Sequence, residues 1–259
     1  YRANTEVVPS DATASDYEDF VENFTSTNTV TITYSNTGDA SCTMERSDED
    51  IQVSITGNDV VVSSTAKGVT YVLTGASSAG SFKMAKGTDD RKFALVLDGL
   101  TLSKKGGAAI NIQPSKRCYL QLTADTENTI STTGKYSGSD EDQKAAIFSE
   151  GKLLISGTGK LSITTTKMHG ICSDDYVWIH EGDIDITTQA KDGIHANDSV
   201  VIGGGELDIT SYGDGIQVEE TTGSYVQHGG FVCIHASSGG SDRSHGLKAE
   251  GTATSAFVD

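Results

Sequence analysis

The chain has 259 residues, 29 of them Gly and only 2 Pro, and carries a formal net charge of −17. So acidic a surface excludes nucleic acid, which needs clustered Lys and Arg, and suits cations or anionic ligands bridged by cations. No apolar run approaches the roughly 20 residues that span a bilayer.

Residues 1–28 are acidic and unpatterned. They read as an N-terminal linker with one helical turn near Tyr17 to Phe24. From Thr29 the pieces "TVTITYS", "DIQVSITG", "DVVVSST", "VTYVLTG" and "KFALVLDGLTLS" are rich in Thr, Val and Ile, the residues of strands. They are expected to form irregular early coils and a cap over 29–100, before regular coils over 101–259. The last coil, at "GTATSAFVD", looks unfinished. The chain starts without Met or a signal peptide, and its Thr/Ser/Gly-rich acidic composition resembles that of exported proteins. A processed chain working outside the cell or on its surface is the expectation. The 4 Cys (Cys42, Cys118, Cys172, Cys233) are far apart with no CxxC pair, so neither a disulfide framework nor a cysteine zinc site is expected.

From residue 145 one phrase recurs: "AAIFSEG", "HGICSDD", "DGIHAND", "DGIQVEE" and "HGLKAEG", beginning at Ala145, His169, Asp192, Asp214 and His245. The first three steps are regular, and the last is lengthened by the insertion "SSGGSDRS". Each unit holds three short strand-like pieces, as in "GIHA", "SVVI" and "GELDITS". In the third piece Leu207 and Ile209 alternate with Glu206, Asp208 and Thr210. No helical periodicity interrupts the units, and the leucine-rich skeleton is absent. An all-β, right-handed, single-stranded parallel β-helix with three strands per coil and about 22–24 residues per coil satisfies the pattern.

The phrasing "VTYVLTG…ALVLDGLTLSKKGGAAINI…LTADTENTIS…DEDQKAAIFSEGKLLISGTGKLSI…DGI" resembles the bacterial carbohydrate-binding β-helix family. That family is founded on a clostridial cellulose- and polygalacturonate-binding protein. Its fold and calcium positions resemble those of the β-helical pectate lyases. The similarity runs from about Thr29 to Glu250. It implies a polysaccharide partner, with acidic glycans such as polygalacturonate foremost.

In a β-helix, equivalent positions stack. Three residues after each repeated Ile or Leu the column reads Glu150, Asp174, Asn197, Glu219 and Glu250, and the first position reads His169, Asp192, Asp214 and His245. Both columns are expected to face outward. Carboxylates one coil apart repel by roughly 1–3.5 kcal/mol between water-like and surface-like dielectrics. A hard cation with oxygen ligands reverses that sign, and Ca²⁺ accepts six to eight such ligands. The candidate calcium ligands are Asp192, Asp214, Asn197, Asp198, Glu219, Glu220, Asp174, Asp175 and Glu250. Turn chemistry is the alternative for the same residues, with Asp capping corners and Gly supplying unusual backbone angles.

A second column reads Phe148, Cys172, His195, Gln217 and Lys248. Pectate lyases pair calcium with a Lys or Arg base, so Lys248 is the residue placed for that role in any lyase reading, with Lys191 behind it. A Lys among carboxylates otherwise forms ion pairs. Trp178, His195, Lys191, Lys248 and Tyr212 are the candidate sugar contacts, Trp178 projecting outward between inward Val177 and Ile179. The 6 His show no HExxH-type spacing. The leading expectation is calcium-dependent, non-catalytic binding of acidic polysaccharide. An adhesin or purely structural solenoid and a polysaccharide lyase are the alternatives.

Overall fold

A computed structural model of the chain describes residues 18–87, 92–138, 140–237, 244–249 and 255–258. Three strands per coil wind into a parallel β-helix with three faces. The long strand Phe93–Lys105 starts two of them. Its first half pairs with Cys118–Leu122 and leads through Leu153–Gly157, Tyr176–Ile179, Ser199–Ile202, Ser224–Gln227 and Ser255–Val258, the first face. Its second half pairs with Glu127–Thr133 and leads through Lys160–Thr165, Asp183–Thr188, Glu206–Ser211 and Phe231–Ala236, the second face. The third face stacks Gly80–Met84, Ile110–Ile112, Ala145–Ser149, His169–Ser173, Ile194–Ala196, Ile216–Val218 and Leu247–Ala249.

Register follows the repeated phrase. Ile147, Ile171, Ile194, Ile216 and Leu247 are successive partners on the third face, and Leu161, Ile184, Leu207 and Val232 on the second. Ile147, Ile171, Ile194, Ile216, Leu161, Ile184 and Leu207 are buried in a single core. Each such side chain contributes about 1.5–3 kcal/mol by leaving water. The outward positions of the same strands carry the polar half of the alternation, such as Asp185 beside Asp208.

The Gly of the repeated triplet has a packing reason. A Cβ on Gly193 would lie 2.4 Å from Cγ2 of Ile209 and 2.7 Å from the carbonyl oxygen of Gly215. Gly170 and Gly215 meet the same obstacles one coil to either side, from Ile186 and Gly193 and from Ile234 and Gly246. The chain enters the third face here with its backbone against the isoleucine column of the second face. No side chain fits.

The early coils are irregular. Asn28–Tyr34 pairs antiparallel with Ser41–Met44, and Ile51–Thr56 forms an antiparallel hairpin with Asn58–Ser64 that stacks on Gly80–Met84. These antiparallel additions cover the N-terminal end of both sheets, a usual protection against edge-to-edge association. Residues 18–24, the described part of the stretch read as a linker, are docked on the outside of the first face. A 3-10 turn spans Val21–Asn23, within the region where a helical turn is expected. Phe24 packs on Tyr119 and Phe20 on Trp178, while the buried Asp19 carboxylate pairs with the buried Arg117 and accepts a hydrogen bond from the Tyr176 hydroxyl.

Gly193→Ala is expected to lower unfolding stability by roughly 1–3 kcal/mol, the usual cost of overpacking. Gly38→Ala, whose Cβ would meet only Ser35 Oγ at 3.9 Å, should leave it unchanged. Urea denaturation of both variants checks the difference.

Candidate functional site

The stacked columns expected from the repeat are present along the edge where the third face turns into the first. Backbone bonds carry the chain rung to rung: Asp174 N–H to Ser149, Asn197 N–H to Ser173, Glu219 N–H to Ala196. Glu150, Asp174, Asn197 and Glu219 therefore lie one above another, and Asp198 donates its amide to the carbonyl of Asp175 beside them. Glu250 lies outside the described residues.

The first-position acids are placed differently from expectation. Asp192 and Asp214 leave the apolar core but are covered, each 7% exposed. Their carboxylates do local work between rungs. Asp192 Oδ1 accepts the Asp214 amide at 2.8 Å, and Asp214 Oδ1 accepts the His245 amide at 2.7 Å. The remaining charge is met by protein cations or polar rings. Asp192 Oδ2 lies 3.1 Å from His169 Nδ1 and 3.2 Å from His195 Nδ1. Asp214 lies 3.0 Å from His245 Nδ1 and 3.6 Å from Lys248 Nζ. Burial pushes the Asp192 carboxyl up, but hydrogen bonds from His169 and His195 outweigh it and hold the group well below the carboxylate range. Burial lowers His169. For His195 burial is opposed by Asp192 and by Glu219, whose Oε2 stands 3.0 Å from Nε2, and the net direction is upward.

The outer acids fall into two groups. Asp174 is held by Lys144 at 2.9 and 3.0 Å, and its carbonyl accepts from the Asn197 amide group at 3.2 Å. Glu150 and Asp175 are held above their ordinary range, Glu150 by burial and by Asp174 and Asp142, Asp175 by burial and by Asp198. Lys152 pulls Asp175 the other way without reversing the direction. Asp198, Glu219 and Glu220 are exposed. Negative potential accumulates along this edge.

Tyr212 is 44% exposed and Lys191 is exposed on the corner before Asp192. Trp178 does project outward, as its strand position requires, but it is half-buried. His180 stacks on it at 4.3 Å and Phe20 meets it edge-on at 5.4 Å. Trp178 continues an outward apolar ladder of Ala94, Tyr119 and Leu154 on the first face, which residues 18–24 roof over. No motif in the sequence announces that roof. His169 belongs with Asp192 and His195, which sequence reasoning missed, although its place directly before Asp192 in the first column was visible.

A family model described as "Carbohydrate-binding domain-containing protein" matches residues 56–254. The chain belongs to this carbohydrate-binding family. Among solved structures, the polysaccharide lyase-like protein from C. thermocellum, as a gadolinium derivative, is similar with a TM-score of 0.66 and 23% identity. The alignment covers 88% of this chain and 97% of that one. At that identity the likeness establishes the shared β-helix. A search of curated proteins finds no match. Within the family frame, the outward third-face column changes along the axis: Phe148 and Cys172 buried, His195 at 9% exposure, then Gln217 and Lys248 half-buried.

Cys118 and Cys172 are fully covered, and burial drives both thiols far above their ordinary range. A thiolate is the reactive form. At pH 8 neither is expected to react with a disulfide reagent until the protein is unfolded. Rapid labelling of Cys172 in the native protein, read by peptide mass, contradicts the burial described.

Proposed function

We propose that this carbohydrate-binding protein holds an acidic polysaccharide along the corner between its third and first faces, with Ca²⁺ bridging carboxylates of protein and glycan. Family membership over residues 56–254 supplies the ligand class and is the observation that carries the reading. The acidic edge supplies a physical reason for a cation. Asp175 and Asp198 sit side by side in successive rungs, and their neighbourhood already disfavours a charged Asp175. A hard cation accepting oxygen from Asp175, Asp198, Asn197, Glu219 and Glu220 relieves that repulsion. Asp174, Asp192 and Asp214 are engaged by protein donors and contribute at most by exchanging them. Tyr212, Lys191 and Lys248 lie on the coils that offer a sugar an aromatic face or a cation. Such a ligand places the protein's work outside the cell.

Binding without turnover is favoured by the state of Lys248. Its Nζ stands 3.6 Å from the covered Asp214 carboxylate, an ion pair it would have to give up to serve as the base that takes a uronate C5 proton. A glycan array of the EDTA-stripped protein, with and without added Ca²⁺, is expected to show uronate-rich polysaccharides bound only with calcium. Asp198→Asn with Glu219→Gln should weaken that binding about tenfold or more. Absent or calcium-independent glycan signal favours a structural solenoid instead. Unsaturated product released from polygalacturonate by the parent and lost in Lys248→Ala establishes a lyase.

A further inference from the structure

The phrase that repeats along the third face brings together a donor set of a different kind from the acidic edge. His169, Asp192 and His195 each offer a ligand atom, and these three atoms all lie within 4.8 Å of one another. All three residues are buried, at 7%, 7% and 9% exposure. They come from adjacent rungs: His169 from the strand His169–Ser173, His195 from Ile194–Ala196, and Asp192 from the corner just before the latter, with Ile171 opposite Ile194 fixing the register. We propose that His169, Asp192 and His195 bind one divalent transition-metal ion of the zinc class, separately from any calcium on the acidic edge.

Four observations carry this. The first is spacing. Ligand atoms about 2.0–2.1 Å from a tetrahedral ion stand about 3.3 Å from each other. Asp192 Oδ2 is 3.1 Å from one imidazole Nδ1 and 3.2 Å from the other, so two edges of the tetrahedron are already set. The second is that the outward-turned atoms of the ligands are already occupied, as the outer shell of a metal site requires. Asp192 Oδ1 accepts the Asp214 amide at 2.8 Å, and His195 Nε2 faces Glu219 Oε2 at 3.0 Å. The second contact holds a proton on Nε2, so an ion that displaces the Nδ1 proton finds the ring already oriented, the carboxylate–histidine–metal arrangement.

The third observation is a conflict that an ion removes. His169 Nδ1 accepts the Asp192 amide at 3.3 Å, which requires a lone pair there, yet the same nitrogen lies 3.1 Å from a carboxylate oxygen, which requires a proton. A metal ion takes the lone pair and the carboxylate together, at the cost of one long hydrogen bond. The fourth is setting. In the same ladder the preceding partners of His169 and His195 are Ala145 and Cys172, which form a small apolar cluster with Ala108 and Phe148. Apolar walls on one side keep water from competing for the donors. Two imidazole nitrogens and one oxygen are a poor set for Ca²⁺, which takes oxygen, and a good one for Zn²⁺, Co²⁺ or Ni²⁺. Water completes the fourth position.

The test uses the full chain, stripped with EDTA and titrated with Co²⁺ under visible absorption and with Zn²⁺ by calorimetry. The expected result is one equivalent of Co²⁺ with tetrahedral d–d bands, displaced by Zn²⁺ and undisturbed by millimolar Ca²⁺. His169→Ala and Asp192→Asn should abolish uptake. Glu219→Gln, which touches only the outer nitrogen of His195, should weaken it about 10–100-fold. Nitrogen NMR of the histidine rings provides a readout on the unaltered protein, and Zn²⁺ should shift two Nδ1 signals and leave their Nε2 partners protonated. The proposal is overturned if the parent takes up no Co²⁺ and gains no melting temperature with Zn²⁺. It is equally overturned if uptake survives His169→Ala and disappears in Cys233→Ser, since Cys233 and His235, 3.6 Å apart, are then the site. Because the readout is metal uptake, its failure leaves glycan binding untouched, and a failed glycan array leaves the metal site untouched.

Discussion

Every coil of this protein is pinned to the one before it by a parallel backbone ladder, and that ladder leaves side chains no choice of vertical neighbour. Ile stacks on Ile inside, which is how a chain with few aromatics assembles one continuous core. Outside, the same geometry sets like upon like whenever the sequence repeats itself. An acidic repeat therefore builds its own repulsion, rung after rung, unless something of opposite character is interleaved. The structure interleaves it with His169 and His195 around Asp192, His245 and Lys248 around Asp214, and Lys144 around Asp174.

The Asp–Gly–Ile triplet is thus mostly architecture. Gly enters because the next coil's carbonyl and an isoleucine methyl occupy the space of its Cβ. Asp precedes it because a carboxylate oxygen there reaches the amide of the following rung, at 2.8 Å for Asp192 and 2.7 Å for Asp214. Ile follows it because the chain has just turned inward. Each residue answers a separate constraint of one corner, and the corner recurs. The remaining excess of acid, at Asp175, Asp198 and Glu220, answers no such constraint of the corner, while Glu219 is tied to it only through His195.

The fold was legible in the sequence because a short, regular period with a fixed Ile position specifies both the coil and its register. The vertical columns followed from that alone, and the observed pairings of Phe148, Cys172, His195, Gln217 and Lys248 are those the alignment implies. Orientation was less legible. Asp192 and Asp214 read as solvent-facing, because alternation separates core from non-core and is silent on what covers the non-core side. The side chains that meet them come from their own and neighbouring rungs: His169 and His195 at Asp192, His245 and Lys248 at Asp214. Trp178 presents the same difficulty over a longer distance. Its roof includes Phe20, from the N-terminal end of the described residues, and residues 18–24 carry no repeat by which to place them. The His–Asp–His group escaped a search for local metal motifs for a related reason. Such motifs count along one strand or helix, and this group is counted across rungs, where a whole coil of sequence separates side chains that touch.

A solenoid of this kind varies function by changing one residue type per coil, and the outward column of the third face shows the principle. After the polar Lys83 and Asn111 of the first rungs the column turns apolar at Phe148 and Cys172, sealed with Ala108 and Ala145. One rung further it is His195, poised between two carboxylates, and beyond that Gln217 and Lys248. From Phe148 onward polarity rises with each step while the backbone pairing stays constant. Substituting His195 by Phe would extend the apolar end by one rung, and because the ladder is indifferent to side-chain polarity, the coil would still close. What would be lost is the side-chain contact by which His195 joins Asp192 to Glu219, and with it that link between a covered acid of the triplet and the exposed acids of the corner.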